Sequence, residues 1–107
     1  MSTAFEPDVI SVYSLKQAIE DGLLVEIFKN RWETLTGGKP IVATAHLSEA
    51  VSLAGLLEIW NAYVAWRRIV EPTLPEEKRL FATKMNGETV WVIEDSEAFT
   101  MMYPVDY

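Results

Sequence analysis

The sequence predicts an α+β fold: N-terminal short helices and one long central helix packed on a C-terminal antiparallel three-stranded meander. Three observations carry that prediction. Apolar residues recur at helical spacing between Leu53 and Val70. Asn86-Gly87 sits between two apolar runs, the strongest short-range hairpin signal. Helical patterns precede strand patterns along the chain, which argues for segregated layers rather than alternating βαβ units.

Each element has a local cause. Residues 1–8 read as a loose arm of a single domain covering 1–107. Ser14-Leu15-Lys16-Gln17 has capping-box form, and Gly22 supplies a left-handed stop, so a short helix is expected over 15–21. Leu23 to Phe28 suits a brief strand or an extended connection. Lys29 to Thr36 suits a second short helix ended by Gly37-Gly38, and Pro40 forces Lys39 to be extended. Ile41-Val42-Ala43-Thr44-Ala45 is ambiguous between strand and helix, because a short apolar run has no decisive period.

Ser48 is the expected N-cap of the main helix, roughly 49–70. Leu53, Leu56, Leu57, Trp60 and Val64 form its stripe, which Ile59, Tyr63, Trp66 and Val70 widen. Only Glu58, Asn61, Ala65 and Arg68 leave a wetter seam, so the helix is expected at the centre of the fold. Pro72 and Pro75 close it.

With Asn86-Gly87 as a type I′ turn, Met85 faces Glu88, Thr83 faces Val90 and Phe81 faces Val92 on one side of the hairpin. Leu80, Ala82, Lys84, Thr89, Trp91 and Ile93 share the other. Asp95-Ser96 turns the chain, and Phe99 to Tyr103 makes a third strand. Neither hairpin face is properly polar. One is expected to meet the long helix, and the other needs cover from the N-terminal elements or a second molecule. Phe81, Val90, Trp91, Val92, Ile93, Glu94 and Asp95 are therefore the candidate interaction residues.

Composition limits the function. Sixteen acidic against nine basic residues give a formal net charge of −7. That charge repels nucleic acid and anionic lipid at long range and disfavours direct nucleic-acid binding, although Arg67-Arg68 is a local basic patch. Cysteine is absent, which removes disulfides, thiolate metal sites and a cysteine nucleophile, and fits a cytoplasmic location. The acidic opening, Met1 to Asp8, lacks the apolar core of a signal peptide. Leu53 to Val70 is interrupted by Glu58, Asn61 and Arg67-Arg68, so no membrane span is expected.

No catalytic set stands out, and no catalytic, cofactor or metal residue is assigned. His46 has Glu49 three residues on, but one histidine and one carboxylate do not make a zinc site. Thr36-Gly37-Gly38-Lys39 imitates a phosphate loop, yet Pro40 follows where a helix would have to open. The acidic pairs Glu20-Asp21, Glu76-Glu77 and Glu94-Asp95 read as solvated charge, with an acidic face for a basic partner as the functional alternative. Trp60, Tyr63 and Trp66 read as core, with a ligand cavity as the alternative. The tail around Tyr103, Pro104, Asp106 and Tyr107 is either a docking motif or a strand end tucked against the fold.

Residues Val12 to Val25 carry a pattern of Tyr, a short gap, Gln17-Ala18-Ile19, then Asp21-Gly22 and Leu24-Val25. This resembles the opening of a family of small plasmid- and phage-borne bacterial proteins with a domain of unknown function. That family also closes on a strand, a proline and an acidic stop, to which Met101 to Tyr107 is similar. The likeness touches both ends and the hairpin and departs at the aromatic helix. It implies a mobile-element setting and assigns no residue a role.

Three functional expectations follow. The first is a non-enzymatic acidic interaction protein, an accessory or host-defence-blocking factor of a mobile element, acting on a protein partner and self-associating as a homodimer through the sheet. The second is a small ligand-binding domain or enzyme with a pocket beside the aromatic central helix, drawing polar groups such as His46 or Glu58. A purely structural, self-associating domain is a third.

Overall fold

In the computed structural model, residues 14–70 and 80–107 are described. The expected arm at 1–8, the Pro72 and Pro75 stops and the Glu76-Glu77 pair lie outside them. Among the described residues four α-helices are seen: α1 (Leu15–Glu20), α2 (Trp32–Thr36), α3 (Ala45–Ala50) and α4 (Leu53–Ile69). Five strands accompany them: β1 (Leu24–Glu26), β2 (Ile41–Thr44), β3 (Phe81–Met85), β4 (Glu88–Glu94) and β5 (Phe99–Met102).

The architecture is α+β, but the sheet is five-stranded and mixed, with strand order β1-β2-β5-β4-β3. The expected three-stranded antiparallel meander is thus corrected. β3, β4 and β5 are antiparallel neighbours, and β2 joins β5 in parallel, Ile41 opposite Phe99 and Ala43 opposite Met101. The physical reason lies in Ile41-Val42-Ala43, all three fully buried. A strand covered on both faces is apolar without alternation, which is why its periodicity left strand and helix open.

The expected single helix from residue 49 is corrected too. Thr44 caps α3, its hydroxyl accepting from the Leu47 N–H at 3.3 Å. Val51 then turns extended, and Ser52 caps α4 by accepting from the Gly55 N–H at 3.1 Å. Ser48 is no cap; its hydroxyl donates to the Ala45 carbonyl at 3.1 Å. Two good caps eight residues apart divide one apolar stretch into two helices.

Elsewhere the local signals act as read. The Ser14 hydroxyl accepts from the Gln17 N–H at 3.1 Å and opens α1. A 3₁₀ turn over Lys29–Arg31 leads into α2, which ends on Gly37 in left-handed conformation. Asn86 and Gly87 have φ of 55° and 84°, and the hairpin register pairs Met85 with Glu88, Thr83 with Val90 and Phe81 with Val92. Both signs are those a type I′ turn demands. Asp95 closes the next turn, its carboxylate accepting from the Glu97 and Ala98 N–H groups.

The main core lies between α4 and one sheet face. Trp60 meets Phe99 edge-on at 5.1 Å between ring centroids, and Tyr63 meets Phe81 at 5.7 Å. Leu56, Ile59, Val90, Val92 and Met101 fill the space between. Val42 and Met102 are buried on the opposite face, where Trp91 and Ile93 are half-buried. Among the described residues, no helix is long and apolar enough to cross a membrane.

Candidate functional site

The most chemically furnished concavity is a cleft of about 570 Å³ between α2 and α4, at the end of the sheet where β2 and β5 begin. Leu35 and Thr36 come from the last turn of α2, and Lys39 from the loop that follows. Successive turns of α4 present Trp60, Tyr63, Val64, Arg67 and Arg68, because residues three and four apart share a helix face. Glu94 closes the cleft from the end of β4, and Phe99 from the start of β5.

Its electrostatics run against the chain as a whole. Among the described residues, Lys39, Arg67 and Arg68 line it with Glu94 as the single carboxylate, in a protein of net charge −7. Glu94 is divided between two cations: Oε2 lies 2.8 Å from Lys39 Nζ, and Oε1 lies 3.0 Å from an Arg67 guanidinium nitrogen. Lys39 Nζ also stands 4.9 Å from the centre of the Phe99 ring, and Arg67 Cζ 5.7 Å from it. Both distances are within cation–π range. Lys39 is held there by its own backbone: the Thr36 hydroxyl donates to the Lys39 carbonyl at 2.6 Å, and the Pro40 carbonyl accepts from the Phe99 N–H at 2.9 Å. Thr36-Gly37-Gly38-Lys39 is therefore a helix end that aims a lysine.

A second concavity, about 480 Å³, lies between the 3₁₀ turn and the start of α4. Phe28, Leu53 and Leu57 give it an apolar lining. Phe28 has φ 56°, unusual for a bulky residue and worth about 1–2 kcal/mol of strain. The strain is fixed by the tight turn after it, where the Phe28 carbonyl accepts from the Arg31 N–H at 2.8 Å.

A third cluster marks the other end of the sheet. The Thr44 hydroxyl donates to Asp106 Oδ2 at 2.9 Å, and His46 Nδ1 is 3.2 Å from Asp106 Oδ1. The His46 ring rests 4.7 Å from that of Tyr103. Burial first, then the carboxylates of Glu88 and Asp106, raises the Tyr103 hydroxyl above its ordinary pKa. The tail is tucked in here, and Tyr107 reaches the Trp91 ring at 5.9 Å while staying largely exposed. Among the described residues, no three His, Asp or Glu side chains are grouped to hold a metal ion.

The structure separates the candidate interaction residues. Phe81, Val90 and Val92 are buried beneath α4. Trp91 and Ile93 are half-buried on the opposite face. Glu94 belongs to the cleft, and Asp95 is spent on its turn. Of the aromatic set, Trp60 and Tyr63 line the cleft, whereas Trp66 packs on Phe81 at 5.3 Å. His46 and Glu58 do not converge there. Sequence reasoning missed Lys39, because nothing local ties it to a carboxylate 55 residues away.

Protein-family models, curated proteins and solved structures provide no match to this chain.

Proposed function

We propose that this is a non-enzymatic binding protein that engages its ligand in the cleft between α2 and α4. The observation that carries this reading is the concentration of Lys39, Arg67 and Arg68 around one carboxylate among the described residues, over aromatic walls, in an otherwise acidic chain. Small-molecule sites commonly have this form, a concavity of 300–1,000 Å³ with apolar walls and a few convergent polar groups. Among the described residues the cleft is lined by no carboxylate pair, no histidine and no candidate nucleophile beside a base, which favours binding over turnover. The likeness to plasmid- and phage-borne proteins adds a setting, that of an accessory or defence-blocking factor in the bacterial cytoplasm.

The test is a titration of ¹⁵N-labelled protein with fractionated bacterial extract. Amide shifts centred on Leu35, Thr36, Val64 and Phe99 are expected. Shifts confined to other surfaces, or none, overturn the reading.

A second proposal is a homodimer on the sheet face away from α4. Trp91 and Ile93 are half-buried there, Tyr107 packs on Trp91, and Leu80 leading into β3 is 43% exposed. A two-fold contact is the commonest way to cover such a patch. Sedimentation at micromolar concentration decides it, and a monomer mass throughout removes the dimer.

A further inference from the structure

Glu94 holds the key to what the cleft accepts. Its two carboxylate oxygens occupy Lys39 and Arg67 separately, at 2.8 and 3.0 Å, which is the service an oxyanion ligand would perform. All three side chains remain partly open to water, Glu94 with 28% of its side-chain surface exposed, Lys39 with 25% and Arg67 with 43%. Glu94 is also the last residue of β4, just before the Asp95 turn. Its side chain can rotate into solvent without breaking the strand ladder.

Resting on the binding reading above, we propose that the cleft takes a small organic oxyanion, a carboxylate or phosphate ester on an apolar body, which displaces the Glu94 carboxylate from Lys39 and Arg67. Charge sets the anionic half of this specificity. With Glu94 swung out, the side chains of Lys39, Arg67 and Arg68 still line the cleft among the described residues. The apolar half comes from half-buried Leu35 and Val64, which line the cleft from α2 and α4, with the Phe99 ring beneath the two cations. A neutral ligand cannot replace the Glu94 carboxylate, so displacing it from Lys39 and Arg67 gains nothing.

This mechanism gives Glu94→Gln a distinctive sign. A purely structural clasp, once broken, weakens the fold and does nothing for binding. A self-occupying carboxylate, once neutralised, stops competing, so anion affinity rises. Calorimetry and ¹⁵N shifts are measured with phenyl phosphate, benzoate, inorganic phosphate and benzamide. Phenyl phosphate and benzoate are expected to bind saturably with shifts at Val64 and Phe99, inorganic phosphate more weakly, and benzamide not at all. Glu94→Gln should tighten phenyl phosphate several-fold. Lys39→Gln or Arg67→Gln should weaken it by roughly tenfold, the loss of one charge-assisted hydrogen bond. Each variant is checked for an unchanged amide spectrum away from the cleft.

Benzamide binding as tightly as benzoate overturns the proposal, as does a Glu94→Gln protein with affinity unchanged or lowered. If bacterial extract shifts the cleft amides while none of the oxyanions does, the oxyanion proposal falls and the binding reading stands. If neither does, both fall.

Discussion

Gly55 offers a sharp test of how α3 and α4 are divided. It lies in the first turn of α4, where alanine is ordinarily better than glycine by about 1 kcal/mol. A Cβ placed there would lie 2.6 Å from Val51 Cγ1, about 1 Å inside the usual contact distance. Val51 cannot swing away easily, since it is buried and β-branched, and its backbone is the extended link between the helices. Overpacking of this kind costs about 1–3 kcal/mol. Gly55→Ala is therefore expected to lose about 1 kcal/mol net, the clash exceeding the propensity gain.

The decisive comparison is with Val51→Ala. Removing the Val51 methyl groups costs stability on its own, about 0.8 kcal/mol per group plus any cavity. It also makes room, so Gly55→Ala in that background should become stabilising by up to about 1 kcal/mol. The coupling between the two sites, read from urea midpoints at constant m-value, should be about 1–3 kcal/mol. A Gly55→Ala protein more stable than wild type, with no coupling to Val51, would refute the reasoning. It would mean that the junction adjusts freely and the close approach at Gly55 constrains nothing.

Trp60→Ala should cost about 3–5 kcal/mol by denaturation, because Trp60 is 3% exposed and ringed by Phe99 and Tyr63; a small loss would place the ring outside the core. Gly87→Ala should cost about 1–2 kcal/mol of backbone strain alone, since φ is 84° and a Cβ there meets no neighbour, with Gly87→Val worse; an unchanged melting temperature would contradict the turn type. Tyr103 has a folded pKa raised above its ordinary 10.0, so its stabilising contribution is complete below pH 10 and is lost as pH climbs through the folded value. Tyr103→Phe should flatten that alkaline fall in the urea midpoint relative to wild type. Breaking the clasp with Glu94→Gln should cost no more than about 1 kcal/mol, as its partners are partly solvated.

What the sequence disclosed was whatever short-range chemistry decides. The Ser14 cap, the Asn86-Gly87 turn and the hairpin register need only neighbouring residues, and all three were readable. The helix start was misplaced by a competition between caps. Ser48, Thr44 and Ser52 are all capping residues, and only the packing of Leu47 and Leu56 selects the last two. The parallel pairing of β2 with β5 was illegible, because a doubly covered strand shows no period and its partner lies some 58 residues on in register. The cleft shares that opacity. Trp60 and Tyr63 could be suspected from helical spacing, but Lys39 and Glu94 meet only because β2 is inserted between β1 and β5.

The same topology explains how an acidic chain keeps a cationic site. Lys39 enters just before β2, Glu94 leaves at the end of β4, and Arg67 and Arg68 approach from the last turns of α4. Three of the nine basic residues thereby converge on one spot. The two charge distributions act over different ranges. At physiological salt the screening length is about 8 Å, so the diffuse negative field fades before it reaches a group seated in the cleft at contact distance. On the proposed reading, a small anion carrying one or two charges would meet modest repulsion on approach and strong attraction once inside. A nucleic acid brings a negative charge about every 1.7 Å of duplex axis and must bring many of them against the acidic surface at once. On the proposed reading, the arrangement would admit small oxyanions and disfavour polyanions. Lowering the salt should accentuate that selectivity, by restoring the repulsion that large anions feel most.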